Sequence, residues 1–326
     1  MIKLQRIILN TAPVQFVVNK TKKIIPPGFD GLPLYDVIMF FLAQVKKTGL
    51  SERASAVSYN FIMAIPPACL FLFSLIPHLP FMQTRQIKRQ IHNIIYDIVP
   101  AKEYNQNIIQ FIDGFLNNAR TDLLSTSLIL SIFFASNGMM GLMRSFNKNY
   151  IGFEKRSELV TRWTAIKLTS IMMGLVVACL ILLIMQSFFW RLLGIKNEVL
   201  LGLINNIRLL FIIALIFYSI AFIYKYAPAI QKRWRLVSPG SVLATILSIT
   251  STFIFIFFVT NFGKYNALYG SIGTIIVLMS LIYINSLVLL IGYELNVSIH
   301  SIKALAEERV RQESLERVNH QTESNR

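Results

Sequence analysis

The sequence predicts an all-α, polytopic membrane protein with six transmembrane helices, and two observations support that fold class. Six apolar stretches are each about long enough to cross a bilayer, which takes roughly 20 residues of helix, and five of them run for 21 residues or more without a charge. Lys and Arg number 23 in the two termini and in the loops joining spans two to three and four to five, against nine in the other loops. Because cationic loops remain cytoplasmic, we expect both termini on that side. The predicted spans are residues 54–77, 123–143, 168–190, 209–224, 236–263 and 265–293.

The N-terminal region, residues 1–53, is predicted to be a cytoplasmic arm followed by an interfacial helix. Residues 1–32 have the character of an irregular arm that ends in a turn at Pro26-Pro27-Gly28. Residues 33–48 follow the helical period, and Gly49 stops the helix. An apolar face beside basic residues just before a span is typical of a helix in the membrane interface. The apolar face and the basic last turn consist of Tyr35, Ile38, Leu42, Val45, Lys46 and Lys47.

The membrane domain, residues 54–300, begins with a span that contains Pro66 and Pro67. Proline has no N–H to donate, so the pair interrupts the hydrogen-bond ladder and kinks the helix. Freed carbonyls at membrane depth are tolerated where protein or a wet cavity satisfies them, so the kink points to a cavity. The loop that follows, residues 79–120, carries two amphipathic patterns and is predicted to form two helices over the outer mouth. These helices either pack on the bundle or form a cap that gates it or binds a partner.

Small residues recur at nearly every fourth position in two spans, which favours close approach between helices. We interpret both ridges as packing seams. The tail, residues 301–326, is charged and cytoplasmic in this scheme, with a helical pattern that includes Glu307 and Arg311 four residues apart and disorder over 319–326. The ridges are Gly240, Ala244, Ser248 and Thr252 in the fifth span, and Ser131, Ala135, Gly138, Gly141 and Ser145 in the second.

A few polar side chains lie within the spans and are the candidates for a substrate path or a gate. Buried amides can either bond one another across helices as structural glue or line a path. Glu294 has two interpretations: a salt bridge to a basic loop residue such as Lys225 or Arg235, or a gate or proton-linked carboxylate. The candidates are Tyr59, Asn60, Pro66, Asn137, Asn285, Glu294 and Asn296.

The sequence argues against an enzyme, a metal site and a nucleic-acid-binding protein. The four histidines are scattered, and no Walker loop, His-Glu-x-x-His, Gly-x-Ser-x-Gly or Cys-x-x-Cys motif is present. We therefore predict no catalytic residues, no cofactor and no metal. Cys69 and Cys179 lie within spans and have the character of small packing residues. The net charge of +16 is interpreted as attraction to an anionic inner leaflet, because no basic module with interleaved aromatic residues accompanies it.

Short motifs distributed over residues 34–300 resemble the YihY/BrkB family of bacterial inner-membrane proteins. They are YKYAP at 224–228, SPGS at 238–241, YNALYGSIG at 265–273, GYELN at 292–296, RASAVSY at 53–59 followed by Pro66, and Asn137-Gly138 with Asn147. Leu281 departs from the pattern, since relatives usually have Trp there, and the arm before residue 34 has no family motif. The resemblance implies a six-span inner-membrane protein. It also implies a link to resistance, virulence or envelope lipid handling, whereas the ribonuclease BN label once given to some relatives does not fit the absent metal ligands.

Two functions from different classes follow. The first is transport or translocation of an amphiphilic, anionic or lipid substrate, which the kinked first span, the polar sixth span and the basic inner surface favour. The alternative is a non-transporting scaffold of an envelope complex, which the amphipathic outer loop, the charged tail and the packing seams favour. Ribonuclease activity is a distant third. The expected partners are membrane lipids, with self-association of the chain left open.

Overall fold

The computed structural model describes residues 12–75, 109–110, 113–114, 121–147, 156–192, 198–230, 233–261 and 271–324. These ranges are dominated by α-helix, and no β-strand occurs among them. The helices are α1 (Ala12–Thr21), α2 (Leu34–Lys47), α3 (Leu50–Leu75), α4 (Thr121–Phe146), α5 (Glu158–Leu192), α6 (Glu198–Tyr226), α7 (Pro239–Asn261) and α8 (Ser271–Ser324).

The predicted class, an all-α polytopic membrane protein, is confirmed. Within the described ranges five helices, α3, α4, α5, α7 and α8, are long and apolar enough to cross a membrane. The remaining predicted span lies in α6, whose apolar part, Leu210–Tyr226, is shorter. The two helices expected over residues 79–120 fall almost wholly outside the described residues.

The N-terminal region contains more helix than its sequence predicts. The irregular arm is wrong over Ala12–Thr21, which forms α1. The predicted turn is confirmed, since the N–H of Phe29 donates to the carbonyl of Pro26 at 3.2 Å. Gly28 has a φ of +88° there, a conformation that glycine adopts without strain. The predicted short helix is confirmed as α2.

Helix α2 packs on α8 through a stripe other than the apolar face that its sequence predicts for the membrane interface. Val37 is buried against Leu295 and Ile299 of α8, whereas Ile38 and Leu42 are exposed. The helix therefore uses one stripe to pack on α8 and keeps a second apolar stripe free, as an interfacial helix requires. Placement of α2 in the membrane interface stays a prediction.

Several helices extend beyond the predicted spans. Helix α3 begins at Leu50 and so contains Arg53, and α5 begins at Glu158, ten residues before the predicted span. Helix α8 runs without a break for 54 residues. The disorder predicted for 319–326 is wrong as far as Ser324, because no Gly or Pro follows Gly292 to end the helix.

Close helix packing follows the small residues, as predicted. A Cβ on Gly292 would lie 2.6 Å from the Cβ of Ala244 and 2.6 Å from the carbonyl oxygen of Gly240, distances that no real Cβ occupies. Gly138 and Gly141 of α4 are covered in the same way by Phe61 and Asn60 of α3. Both ridges are therefore packing seams: two backbones meet at Gly240 and Gly292, and side chains of α3 cover the glycines of α4.

One end of the bundle gathers residues from every long helix, and we call it the basic end. It contains the start of α3, the end of α4, the start of α5, the end of α6, the start of α7 and residues 289–296 of α8. Its core is aromatic: the rings of Phe146 and Tyr293 stack at 3.7 Å. The hydroxyl of Tyr293 donates to the carbonyl of Phe146 at 3.0 Å, and that of Tyr224 donates to the carbonyl of Leu289 at 2.6 Å.

Candidate functional site

A buried ion pair joins α3 and α8 at the basic end. Nη1 of Arg53 lies 2.6 Å from Oε1 of Glu294, and their exposed fractions are 8% and 0%. Nη2 of Arg53 donates to the carbonyl of Ser145 in α4. The salt bridge expected of Glu294 is therefore present, but the partners named for it, Lys225 and Arg235, are wrong. The reason is that α3 begins three residues before Arg53, so this guanidinium enters the bundle instead of remaining in the arm.

Asn296 holds the beginning of α7. Its Oδ1 accepts a hydrogen bond from the N–H of Gly240 at 2.8 Å, and its Nδ2 donates to Oγ of Ser238 at 2.9 Å. The first N–H groups of a helix have no partner within the helix. Asn296 thus acts as a capping group supplied by a neighbouring helix.

Asn285 joins the middle of α7 to α8. Its Oδ1 accepts from Oγ of Ser248, and its Nδ2 donates to Oγ1 of Thr252 at 3.3 Å and to the carbonyl of Leu281 at 3.0 Å. Both atoms of the amide are therefore engaged by protein. This is the pattern expected of interhelical glue.

The three candidates in the first span differ in their exposure and in their contacts. Tyr59 is 59% exposed and lies on the outer surface of the bundle. Nδ2 of Asn60 donates to the carbonyl of Ala56 at 2.8 Å, and the side chain packs on Gly141. Pro66 lies within a helix that continues on both sides of it. The carbonyl of the adjacent Pro67 accepts from Oγ of Ser131 at 2.5 Å, so a hydroxyl of α4 reaches the proline segment.

Asn137 of α4 is paired with a charge that sequence reasoning did not assign to it. Nη1 of Arg162 in α5 donates to Oδ1 of Asn137 at 2.5 Å and lies 3.1 Å from Sδ of Met140. The same guanidinium stands over the ring of Phe133, 4.7 Å from its centroid. Amide, thioether and aromatic face together stabilise this cation.

The seven candidates therefore do not converge on one site. Glu294 and Asn296 lie at the basic end, and Asn285 lies about 16 Å further along α8 at 1.5 Å per residue. Asn60 and Asn137 lie along the α3–α4 seam, and Tyr59 faces away from it.

A cleft of about 190 Å³ opens at the basic end between α4 and α5. Arg144 is exposed in it and forms no hydrogen bond or ion pair within the part of the chain that the structure describes. Arg156, by contrast, is fixed: its two terminal nitrogens donate to the carbonyls of Ala227 and Pro228 at 3.3 and 3.0 Å. The lining residues are Met140, Arg144, Asn147, Arg156, Glu158 and Thr161.

Asn147 and the loop after α6 shape the same cleft. Oδ1 of Asn147 accepts from the N–H of Ala229 at 3.1 Å, so the end of α4 and this loop are held together. Sequence reasoning counted Arg144 and Arg156 only as loop cations. The signal that could have found the cleft was the coincidence of those cations with Asn147 and the YKYAP motif.

An apolar surface flanks the cleft. On α5, Leu159 is 77% exposed and Trp163 is 64% exposed, with Val160 exposed between them. These residues directly follow Glu158 of the cleft in sequence. The polar cleft and the apolar face are therefore adjacent, and an amphiphile needs two such adjacent surfaces to bind. Among the described residues no group of three His, Cys, Asp or Glu side chains could hold a metal ion.

Comparison with known proteins identifies the family of this chain. A family described as Virulence factor BrkB matches residues 41–316. The chain belongs to the BrkB family. The resemblance inferred from the motifs is thus confirmed.

Relatives of this chain carry differing names. The Putative ribonuclease-like protein YfkH of Bacillus subtilis (strain 168) is 31% identical over 79% of this chain and 92% of its own length. A UPF0761 membrane protein, MS0032 of Mannheimia succiniciproducens, is 20% identical over 81% of this chain and 90% of its own. Another, from Aeromonas salmonicida, is 24% identical over 78% and 86%. No solved structure matches the chain.

Proposed function

We propose that this BrkB protein translocates an amphiphile with an anionic group in its headgroup, which it takes from the cytoplasmic leaflet. The observation that supports this function is an arginine, Arg144, which has no partner among the described residues and lies in a cleft beside an exposed apolar face. A guanidinium is suited to phosphate because it donates several hydrogen bonds in a fixed planar fork. The adjacent face of Leu159 and Trp163 remains free for acyl chains.

The cytoplasmic side follows from charge. The connections at the basic end, together with both termini, carry 23 of the 32 Lys and Arg residues. Excess cations fix loops on the inner side of the membrane. An inner-membrane location with both termini in the cytoplasm is part of the proposal, and the anionic leaflet there supplies the substrate.

A route away from the cleft follows α4. Three contacts follow one another along this helix: Asn60 on Gly141, the Asn137–Arg162 pair and the Ser131–Pro67 contact. From Arg144 to Ser131 the helix spans about 20 Å, most of the hydrocarbon core. Asn60, Asn137 and Pro66 belong to this proposed route, whereas Glu294, Asn285 and Asn296 hold the helices that frame it.

The test is lipid movement in proteoliposomes. Purified protein is reconstituted with a fluorescent phospholipid, and loss of the label from one leaflet is followed. We expect faster movement than in empty vesicles and a rate about tenfold lower for Arg144→Gln, since one charge-assisted hydrogen bond contributes about 1.5–3 kcal/mol. Arg311→Gln, in the exposed tail, is the matched control and leaves the rate unchanged. Equal rates in empty and protein-containing vesicles would exclude the function.

A scaffold is the second candidate, and a specific observation favours it. The amides of Asn285 and Asn296 and the carboxylate of Glu294 are all engaged in contacts between helices, as a protein without a substrate path requires. Helix α8 also continues past the span to Ser324. A scaffold is expected to retain one stoichiometric partner that is lost when residues 301–326 are deleted, and to show no lipid movement.

A ribonuclease is not proposed. The word occurs in the name of the Bacillus subtilis relative and describes that protein alone. That this chain has no enzyme activity stays a prediction, and an RNA-cleavage assay on purified protein with added divalent metal checks it.

A further inference from the structure

The charges of the cleft between α4 and α5 have both signs. Arg144 and Glu158 line it, and neither forms an ion pair in the described part of the chain. We propose that this cleft binds a phospholipid headgroup carrying a phosphate and a primary ammonium, with the phosphate on Arg144 and Arg156 and the ammonium on Glu158. This inference rests on the proposed function, because it assumes that the protein takes its ligand from the membrane.

Two features keep the opposite charges apart. Nη1 and Nη2 of Arg156 are directed at the carbonyls of Ala227 and Pro228, so this guanidinium is held by the loop after α6. Glu158 is the first residue of α5, where the partial positive charge of the helix terminus stabilises a carboxylate. A ligand with separated charges of both signs bridges these groups, whereas a purely anionic headgroup meets repulsion from Glu158.

The apolar surroundings select a lipid over the free headgroup. Leu159, Val160 and Trp163 directly follow Glu158 on α5 and are exposed. An acyl chain that lies along this face buries apolar surface, and this adds affinity that a soluble phosphoethanolamine lacks.

The first experiment measures selectivity of movement. Proteoliposomes contain fluorescent phosphatidylethanolamine or fluorescent phosphatidylglycerol, which differ in the ammonium group. We expect wild-type protein to move phosphatidylethanolamine at least about fivefold faster. Glu158→Gln abolishes this preference, because it slows phosphatidylethanolamine and relieves the repulsion of phosphatidylglycerol, and Arg144→Gln slows both lipids. Glu308→Gln, which removes an exposed carboxylate from the tail of α8, changes neither rate.

The outcomes separate this inference from the proposed function. If phosphatidylglycerol moves as fast or faster and Glu158→Gln leaves the ratio unchanged, the headgroup assignment is overturned while translocation stands. The same holds if Glu158→Gln lowers only thermal stability, since Glu158 then serves α5 alone. If neither lipid moves faster than in empty vesicles, translocation fails and the headgroup site is judged by binding.

Binding is read from Trp163, which needs no movement of lipid. Protein in detergent is titrated with phosphatidylethanolamine or phosphatidylglycerol bearing brominated acyl chains, and the fluorescence lost in Trp163→Phe identifies the signal of this residue. We expect quenching by brominated phosphatidylethanolamine at concentrations at least about fivefold lower, with the difference lost in Glu158→Gln. Glycerophosphoethanolamine without acyl chains does not displace the lipid. Equal quenching by both lipids, or displacement by the soluble compound, would overturn the site.

Discussion

Arg53 and Glu294 tolerate burial because two residues 241 positions apart neutralise each other. Removing a charge from water costs several kcal/mol, which the pair offsets only when geometry and further hydrogen bonds are good. Here the carbonyl of Ser145 supplies one such bond, whereas Nε of Arg53 has no partner among the described residues. Loss of either member therefore leaves a buried charge without its counterion.

Glu294→Gln is expected to destabilise the protein by about 3–5 kcal/mol, the usual result of breaking one side of a buried ion pair. The measurement is the midpoint of thermal unfolding in detergent. Replacing both members, as Arg53→Met with Glu294→Leu, removes both charges and restores most of the loss.

A matched control for the buried pair is the exposed pair of Lys303 and Asp30, whose charged atoms lie 3.4 Å apart. Exposed pairs contribute about 0–1 kcal/mol, so Asp30→Asn barely changes the midpoint. Similar midpoints for wild type and Glu294→Gln would mean that the Arg53–Glu294 pair does not support the fold. If the double variant is as unstable as the single one, packing and not charge explains the loss.

At the scale of the elements, the α7–α8 seam shows how two helices are held together in lipid. The hydrophobic effect contributes little there, because the lipid tails are as apolar as the helices. Packing and hydrogen bonds must hold such helices together. Gly240 and Gly292 let the backbones approach, and Asn285 and Asn296 add hydrogen bonds at two levels of the seam. The seam is therefore expected to tolerate no added volume.

Gly292→Ala tests the seam. The new Cβ would lie 2.6 Å from the Cβ of Ala244 and 2.7 Å from the hydroxyl of Tyr224, so the helices must separate and the midpoint of unfolding falls. Overpacking of this kind costs typically about 1–3 kcal/mol. Gly174→Ala in α5 is the control, because a Cβ there meets nothing within 4 Å and alanine favours helix. Equal midpoints for the two variants would contradict close packing at Gly292.

Sequence alone predicted the helices well and their partners poorly. Small residues at every fourth position located the packing face of α7 but not its partner α8, because packing imposes that period on one helix and leaves the identity of the neighbour open. The start of α5 was missed because Arg162 and Lys167 interrupt the apolar run, although Arg162 is stabilised by Asn137. The cleft was missed because its shape depends on contacts such as Asn147 with Ala229, 82 positions apart, which no local pattern encodes.

At the scale of the whole molecule, contacts at the basic end fix the path of the chain. Arg156, just before α5, bonds to Ala227 and Pro228, just after α6. The 35 residues of α5 lead away from this end, so α6 must return to it. We therefore predict that the short apolar part of α6 belongs to a full crossing, and that α7 and α8 complete an even number of crossings.

An even number of crossings would place the beginning of α3 and the tail of α8 on one side of the membrane, and the cation distribution predicts that this side is cytoplasmic. Single cysteines introduced after Cys69→Ala and Cys179→Ala test this. In intact cells a membrane-impermeant maleimide is expected to label Lys102→Cys, in the predicted outer loop, but not Ser157→Cys or Glu308→Cys. All three react after permeabilisation, which controls for reactivity. Labelling of Ser157→Cys from outside would put the cleft on the outer face, where a cytoplasmic-leaflet lipid could not reach Arg144, although the helical bundle itself would stand.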